Sequence, residues 1–394
     1  MNVSLRAAAA LIAASLSLHA AAADAAAPAA SAAASAPPLA ARCQAPTTDR
    51  AANHACAVGF ARQSDAERKA GRNDAALAEF ARADRFSPED LRFAMARAAL
   101  ALKLANQLSP AGIEAAARAA PGDVGLAMTH AELSIAKKDF AGALADVDRV
   151  IATRPDAPLA WEMRGSVNVA RPDFAAARAD VEQALRLEPK SPVTLRLRGI
   201  LRNNIGDYAG ALADYQAAHA LAPRPDDPFV IGSTQFLQRQ FGDAAASLAR
   251  RPPAAPEGTY WRLWRYLALA RLTGIERASG SLGPGTPPGK GSVWPGPVVD
   301  FFHGSIDAAT LLDAATRSQE AQNLSQVCEA RFYMAEDALL RQRGDFVGGF
   351  RQAAAACPIN FHEYEGAAAE LRAMGIAAAP PAAALPASAA SAAR

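Results

Sequence analysis

Residues 138–155, "KDFAGALADVDRVIATRP", residues 172–189, "PDFAAARADVEQALRLEP", and residues 206–223, "GDYAGALADYQAAHALAP", are three versions of one phrase. In each, an aromatic residue opens a stretch where apolar side chains return at helical spacing, and a proline closes it. Those prolines belong to a longer series at 88, 121, 155, 189 and 223, in steps of 33, 34, 34 and 34 residues. With each proline taken as position 32, position 20 is Ala76, Ala143, Ala177 and Ala211, and position 27 is Ala83, Val150, Ala184 and Ala218. Position 24 is Phe80, Val147, Val181 and Tyr215, position 8 is Ala131, Gly165 and Gly199, and position 4 is Phe60, Phe93, Trp161 and Leu195. The pattern predicts two helices per period. Small residues at positions 8 and 20 let the pair approach closely, and large ones at 4 and 24 pack into neighbouring helices. A single hairpin of this kind cannot bury its apolar face, so each copy must cover the next.

A 34-residue helix–turn–helix period resembles the tetratricopeptide repeat (TPR). Residues 57–90 form one unit, with Gly71 at its turn, and 124–157, 158–191 and 192–225 form three more. Residues 91–123 form a degenerate unit without the small residue at position 20, and a sixth begins near Asp227. The expected fold is all-α, a helix-turn-helix solenoid over 57–250 followed by a C-terminal helical region, 251–375. In that region the period breaks. "EGTYWRLWRYLALARLTG" (257–274) reads as an amphipathic helix, a Gly/Pro-rich loop spans 279–297, and 328–358 restores a repeat-like hairpin. Residues 361–373 read as a capping helix.

The order of phrases here is specific. "WPGPVVDFFHG" (294–304), "FYMAEDALLRQRGD" (332–345) and "NF" (360–361) before a final helix resemble the NlpI-type TPR lipoproteins of Gram-negative bacteria. Residues 226–373 carry the specific part of the likeness. The resemblance implies a periplasm-facing adaptor, commonly a homodimer, that brings a tail-specific protease to its substrates and holds peptidoglycan hydrolases together. This chain departs from the family in the 279–297 loop, in its Ala/Pro/Ser-rich ends, and in lacking a cysteine directly after an apolar leader.

Composition narrows the setting. Alanine supplies much of the 51% hydrophobic content, only 6% of residues are aromatic, and the net charge is +2, which gives no pull toward nucleic acid or an anionic membrane. Arg6, the apolar run Ala7–Leu18 and Ala21-Ala22-Ala23 read as a cleavable secretory signal, residues 1–23. Residues 24–56 read as an Ala/Pro-rich linker, and 376–394 as a disordered tail. The expected location is the periplasm without a lipid anchor, since the first cysteine, Cys43, lies far downstream behind Arg42. Four cysteines in an exported chain allow three pairings. The local one, Cys43–Cys56 and Cys328–Cys357, is favoured, because helices over 325–341 and 346–357 would bring the second pair together at the open end of a hairpin.

Catalytic motifs fail on their spacing. "GPGTPPGKGS" (283–292) has Pro284 and Gly291 where a phosphate-binding loop needs Gly and Ser or Thr. "FHEYE" (361–365) has Gly366 where a second zinc-binding histidine would stand four residues after His362. His54, His130, His219 and His303 are scattered. No enzyme activity and no cofactor, metal or small-molecule substrate is expected. The surface is the better candidate. In a TPR stack the first helix of each repeat faces a groove with its positions 5, 9, 12 and 13. Here that selects Met128, Glu132, Glu162, Ser166, Arg196, Asn203, Asn204, Thr234 and Gln238, with small apolar neighbours such as Ile135 and Val169. Amides and hydroxyls would bond a peptide backbone while the apolar groups take its side chains. The expected function is a non-catalytic scaffold for proteins or extended peptides. The alternative is a TPR assembly factor of a secretion or polysaccharide-export machine.

Overall fold

The computed structural model describes residues 39–250, 257–285, 293–317, 320–358 and 361–377. The leader 1–23, residues 24–38 of the linker, residues 286–292 of the Gly/Pro loop and the tail from 378 lie outside the described residues. Among the described residues the regular structure is helical, and it divides into two compact units, one ending at Thr194 and one beginning at Leu195.

The first unit opens with a single turn, α1 (Leu39–Arg42), and continues as hairpins: α2 (Arg50–Lys69) with α3 (Asn73–Phe86), α4 (Leu91–Leu104) with α5 (Pro110–Ala119), α6 (Val124–Ala136) with α7 (Phe140–Thr153), and α8 (Pro158–Ala170) with α9 (Phe174–Leu187). The expected linker 24–56 needs correction at its C-terminal end. Helix α2 starts at Arg50, because the Asp49 carboxylate accepts from the backbone N–H groups of Ala51 and Ala52. The Cys43–Cys56 disulfide then ties the approach to α2, beside Phe60, Phe86 and Phe93.

The phrase that recurs in the sequence is a capped helix start. Asp139 and Asp173 cap α7 and α9 by accepting from the N–H three residues on, and the aromatic residue that follows each is the first of its helix. At the close approach, the position-20 alanines Ala76, Ala143 and Ala177 are fully buried, and so are Val147 and Val181 at position 24. The second repeat departs from the plan. Helix α5 has no buried residue and barely touches α4, which packs directly against α6 instead. Position 20 here is Ser109, which caps the start of α5 by accepting from the Gly112 N–H, and Leu104 and Leu108 remain exposed.

The second unit begins inside α10 (Pro192–Ile205), which pairs with α11 (Tyr208–Leu221), followed by α12 (Asp227–Leu237) and α13 (Phe241–Ser247). Then come α14 (Glu257–Thr273), α15 (Ile275–Ala278), a 3-10 turn at Ser279–Leu282, α16 (Gly296–Phe302), α17 (Ala308–Thr316), the hairpin α18 (Glu320–Leu340) with α19 (Phe346–Ala356), and α20 (His362–Ala373). The expected repeat array to residue 250 thus has its last two hairpins in one compact unit with the C-terminal helices. Phe229 and Phe236 of α12, with Ala244 and Leu248, join one aromatic core with Trp261, Trp264, Phe302, Phe332, Tyr333 and Phe350. Burial of those large side chains binds the last hairpins to the C-terminal helices. A disulfide joins Cys328, inside α18, to Cys357 at the C-terminal end of α19.

Candidate functional site

The hairpins α6–α7, α8–α9 and α10–α11 each carry a buried carboxylate that bonds a side chain of the opposite helix. Asp146, Asp180 and Asp214 stand 34 residues apart on α7, α9 and α11, and are 5%, 3% and 3% exposed. Across from them, also 34 apart, are His130, Arg164 and Arg198. His130 Nδ1 faces Asp146 Oδ2, Arg164 Nη2 donates to Asp180 at 2.7 Å, and Arg198 Nη2 donates to Asp214 at 2.6 Å. Asn168 adds a second donor to Asp180 and Arg202 adds one to Asp214. A buried carboxylate held by two donors locks the register of one helix against the other, and removing one partner would leave the other buried and unpaired. Sequence reading by apolar period passed over these residues. Their signal was present in the repeated "AD" of "ALAD", "ARAD" and "ALAD".

The residues expected to line a groove divide into two groups. In the first unit, Met128 is fully buried against Leu91 and Met95, so it belongs to the core. This corrects the assignment of position 5 to an open face: α4 covers it by packing directly on α6. Glu162 is half-buried and accepts from Ser191 Oγ at 3.0 Å and from Thr194 Oγ1. Burial raises its pKa above the ordinary carboxylate range, against those two hydrogen bonds. Ser166 donates to the Glu162 carbonyl. Glu132, Ile135 and Val169 are half-buried at the surface, and Ala136 and Ala170 are exposed.

In the second unit the expected polar face is largely closed by its own contacts. Arg196 pairs with Asp227, Nε to Oδ1 at 3.0 Å, and also donates to the Ala222 carbonyl. Burial works to raise the Asp227 pKa, but the donors Arg196, Arg224 N–H and His219 lower it overall. Asn203 and Thr234 are buried and bond each other at 3.2 Å, which corrects their assignment to an open face. Asn204 donates to the Ile200 carbonyl, and Gln238 to the Tyr208 carbonyl at 2.8 Å. The Asn204 carbonyl and the Tyr208 hydroxyl also accept from Arg372 on α20. The partial likeness of Arg196, Asn203 and Asn204 to a carboxylate clamp fails for this reason: the cation is already neutralised and the amides are turned inward.

The remaining ionisable groups of the second unit are packed inside. Glu329 accepts from Tyr260 Oη at 2.7 Å and from Trp294 Nε1 at 2.6 Å, and Glu363 accepts from Tyr333 Oη at 3.0 Å. Burial and then the proximity of Glu363 push the Glu329 pKa up, and burial also pushes up Glu363. His362 Nδ1 faces Glu365 at 3.3 Å and packs edge-on against Phe229 and Trp264. Arg271 bridges Glu336 at 2.7 Å and Glu370 at 3.1 Å. Among the described residues no cluster of three or more His, Cys, Asp or Glu is arranged to hold a metal ion, and no helix is long and apolar enough to cross a membrane.

Comparison with known proteins agrees with the hairpin geometry over the best-formed repeats. A tetratricopeptide repeat family profile matches residues 131–194. Those residues carry the TPR motif. No curated protein matches the sequence. Among solved structures, a tetratricopeptide repeat protein from Parabacteroides merdae is 15% identical, with 57% of this chain and 90% of that one covered and a TM-score of 0.37. A thermophilic TPR protein from Thermus thermophilus is 18% identical, covering 54% and 98%, with a TM-score of 0.32. Yeast Tom70 is 12% identical, covering 76% and 57%, with a TM-score of 0.35.

Proposed function

We propose that this protein is a non-catalytic TPR scaffold that works outside the cytoplasm by holding protein partners. The observation that carries this reading is the face shared by α6 and α8. Glu132, Ile135 and Ala136 on one helix, and Ser166, Val169 and Ala170 on the next, stand at the same positions of successive repeats, and each keeps part of its surface open. A polar group beside two small apolar ones, repeated, suits an extended peptide better than a compact substrate. The pairing of all four cysteines and the apolar leader after Arg6 support an oxidising compartment. The "WPGPVVDFFHG" and "FYMAEDALLRQRGD" phrases support the NlpI-type reading, with a tail-specific protease or peptidoglycan hydrolases as partners.

Crosslinking in cells followed by mass spectrometry tests this. A protease or cell-wall hydrolase should be recovered with the wild-type chain, and its recovery should fall in the double variant Ile135→Arg, Val169→Arg. Recovery of no protein, or equal recovery with the variant at unchanged helicity, would refute the assignment. Export-machine subunits in place of cell-wall enzymes would favour an assembly factor.

A further inference from the structure

The second unit contains a cavity of about 630 Å³ that none of the contacts described above uses. It lies between the α16–α17 turn, α18, the α18–α19 turn and α19. Its size is within the range of about 300–1,000 Å³ usual for small-ligand pockets. One stripe of α18 forms its wall. Arg331, Met334, Ala335 and Ala338 follow each other at steps of three, one and three residues, which places them on one helix face. Phe301 and Ile306 also line it, and its surface is chiefly apolar.

The charges around it are distributed unevenly. Asp337 is buried and holds both Arg341, at 2.7 Å, and Arg343, at 2.9 Å. Asp307 and Asp345 accept from the Thr310 and Gly348 N–H groups and so cap α17 and α20's neighbour α19 at their N-termini, where the helix dipole offsets their charge. Arg331 is different. It is half-buried, lines the cavity, and has no ion-pair or hydrogen-bond partner among the described residues. Among the described residues the cavity thus offers one guanidinium without a partner beside apolar side chains, and the exposed amide of Gln352 also lines it.

We propose that this cavity binds the C-terminal end of a partner polypeptide, its free carboxylate on Arg331 and its last apolar side chain against Met334, Ala338 and Phe301. A single planar cation matches a single carboxylate in bidentate geometry, and an apolar wall next to it selects an apolar terminal residue. Gln352 can bond the backbone one step in from the end. The proposal deepens the protein-partner reading and rests on it, but it concerns a different surface from the α6–α8 face.

Titration calorimetry on the full, disulfide-bonded chain tests it, with acetyl-Ala-Ala-Leu as the free acid and as the amide. The free acid should bind at least about tenfold more tightly than the amide. Arg331→Gln should abolish that preference, Arg331→Lys should keep part of it, and Ala338→Phe, which narrows the cavity from the apolar side, should weaken the free acid as well. Equal binding of acid and amide, no binding of either at millimolar concentration, or an unchanged preference in the folded Arg331→Gln chain would overturn the proposal. So would 4-methylpentanoate binding as tightly as the peptide acid, since a small acid would then be the better ligand. If the carboxylate preference fails while crosslinked partners are still recovered, the cavity assignment falls and the scaffold reading stands. Loss of partner recovery with the carboxylate preference intact separates the two the other way.

Discussion

Gly199 shows how tightly a single position can constrain this fold. A Cβ built on it would lie 2.6 Å from Cε1 of the Tyr215 ring, on the opposite helix of its own hairpin. Position 8 is small because position 24 is large. Replacing Gly by a β-branched residue recovers only part of glycine's helical penalty of about 1 kcal/mol, while forcing side chains into a packed interior costs about 1–3 kcal/mol, more if the helices must part. The expected net outcome for Gly199→Val is a loss of about 2 kcal/mol in the second unit, read as a lower urea midpoint with little change in helicity below the transition. An unchanged midpoint would mean that the two helices are not in this register. The turn residues show the same economy. Gly206 and Gly344 precede the capping aspartates Asp207 and Asp345 with φ of 86° and 68°, where a glycine is unstrained.

At the scale of an element, the α18–α19 hairpin is held at both ends. Its turn is closed by Gly344 and by the Asp345 cap, and its open end by the Cys328–Cys357 bond across 29 residues. Loop-closure entropy for that span amounts to about 3.5 kcal/mol. The double variant Cys328→Ser, Cys357→Ser should therefore lower the stability of the second unit by roughly that amount, and a reducing agent should do the same to the wild-type chain but not to the variant. Equal stability of the two proteins under oxidising conditions would show that the bond does not form. The hairpin period, the helix faces and the local cysteine pairing could all be read as sequence, since each follows from spacing within some thirty residues. The start of α2 at Arg50 was hidden because alanine-rich helix and alanine-rich linker look alike until the Asp49 cap is recognised. Met128, Asn203 and Thr234 were misplaced because a repeat position defines a helix face, and which face stays open depends on how neighbouring helices close over it.

For the whole chain, the most consequential feature is the set of carboxyls inside the second unit. Glu329 sits with Tyr260, Trp294 and Glu363, and Glu363 with Tyr333 and the His362–Glu365 pair. Burial holds the Glu329 pKa above its ordinary 4.5, so the folded state favours the protonated form. The stability this confers is complete below that ordinary value and is lost as pH rises through the raised one. The second unit should therefore be less stable at about pH 8 than at about pH 5. Glu329→Gln, which keeps an oxygen for Tyr260 and Trp294, should flatten that dependence. Denaturant midpoints at the two pH values check this, and a parallel decline in the variant would place the titration elsewhere.

The sequence by itself determined the helical class, the 34-residue hairpins and the breakdown of the period after residue 250, because these depend on which side chains recur along one helix or across one turn. Only the tertiary structure decided where the chain divides, which polar residues are consumed by ion pairs, and that Arg331 has no partner among the described residues beside an apolar cavity. Those outcomes depend on contacts between residues far apart in the chain, where burial and charge compensation are settled by the partners that folding happens to bring together and not by any local pattern.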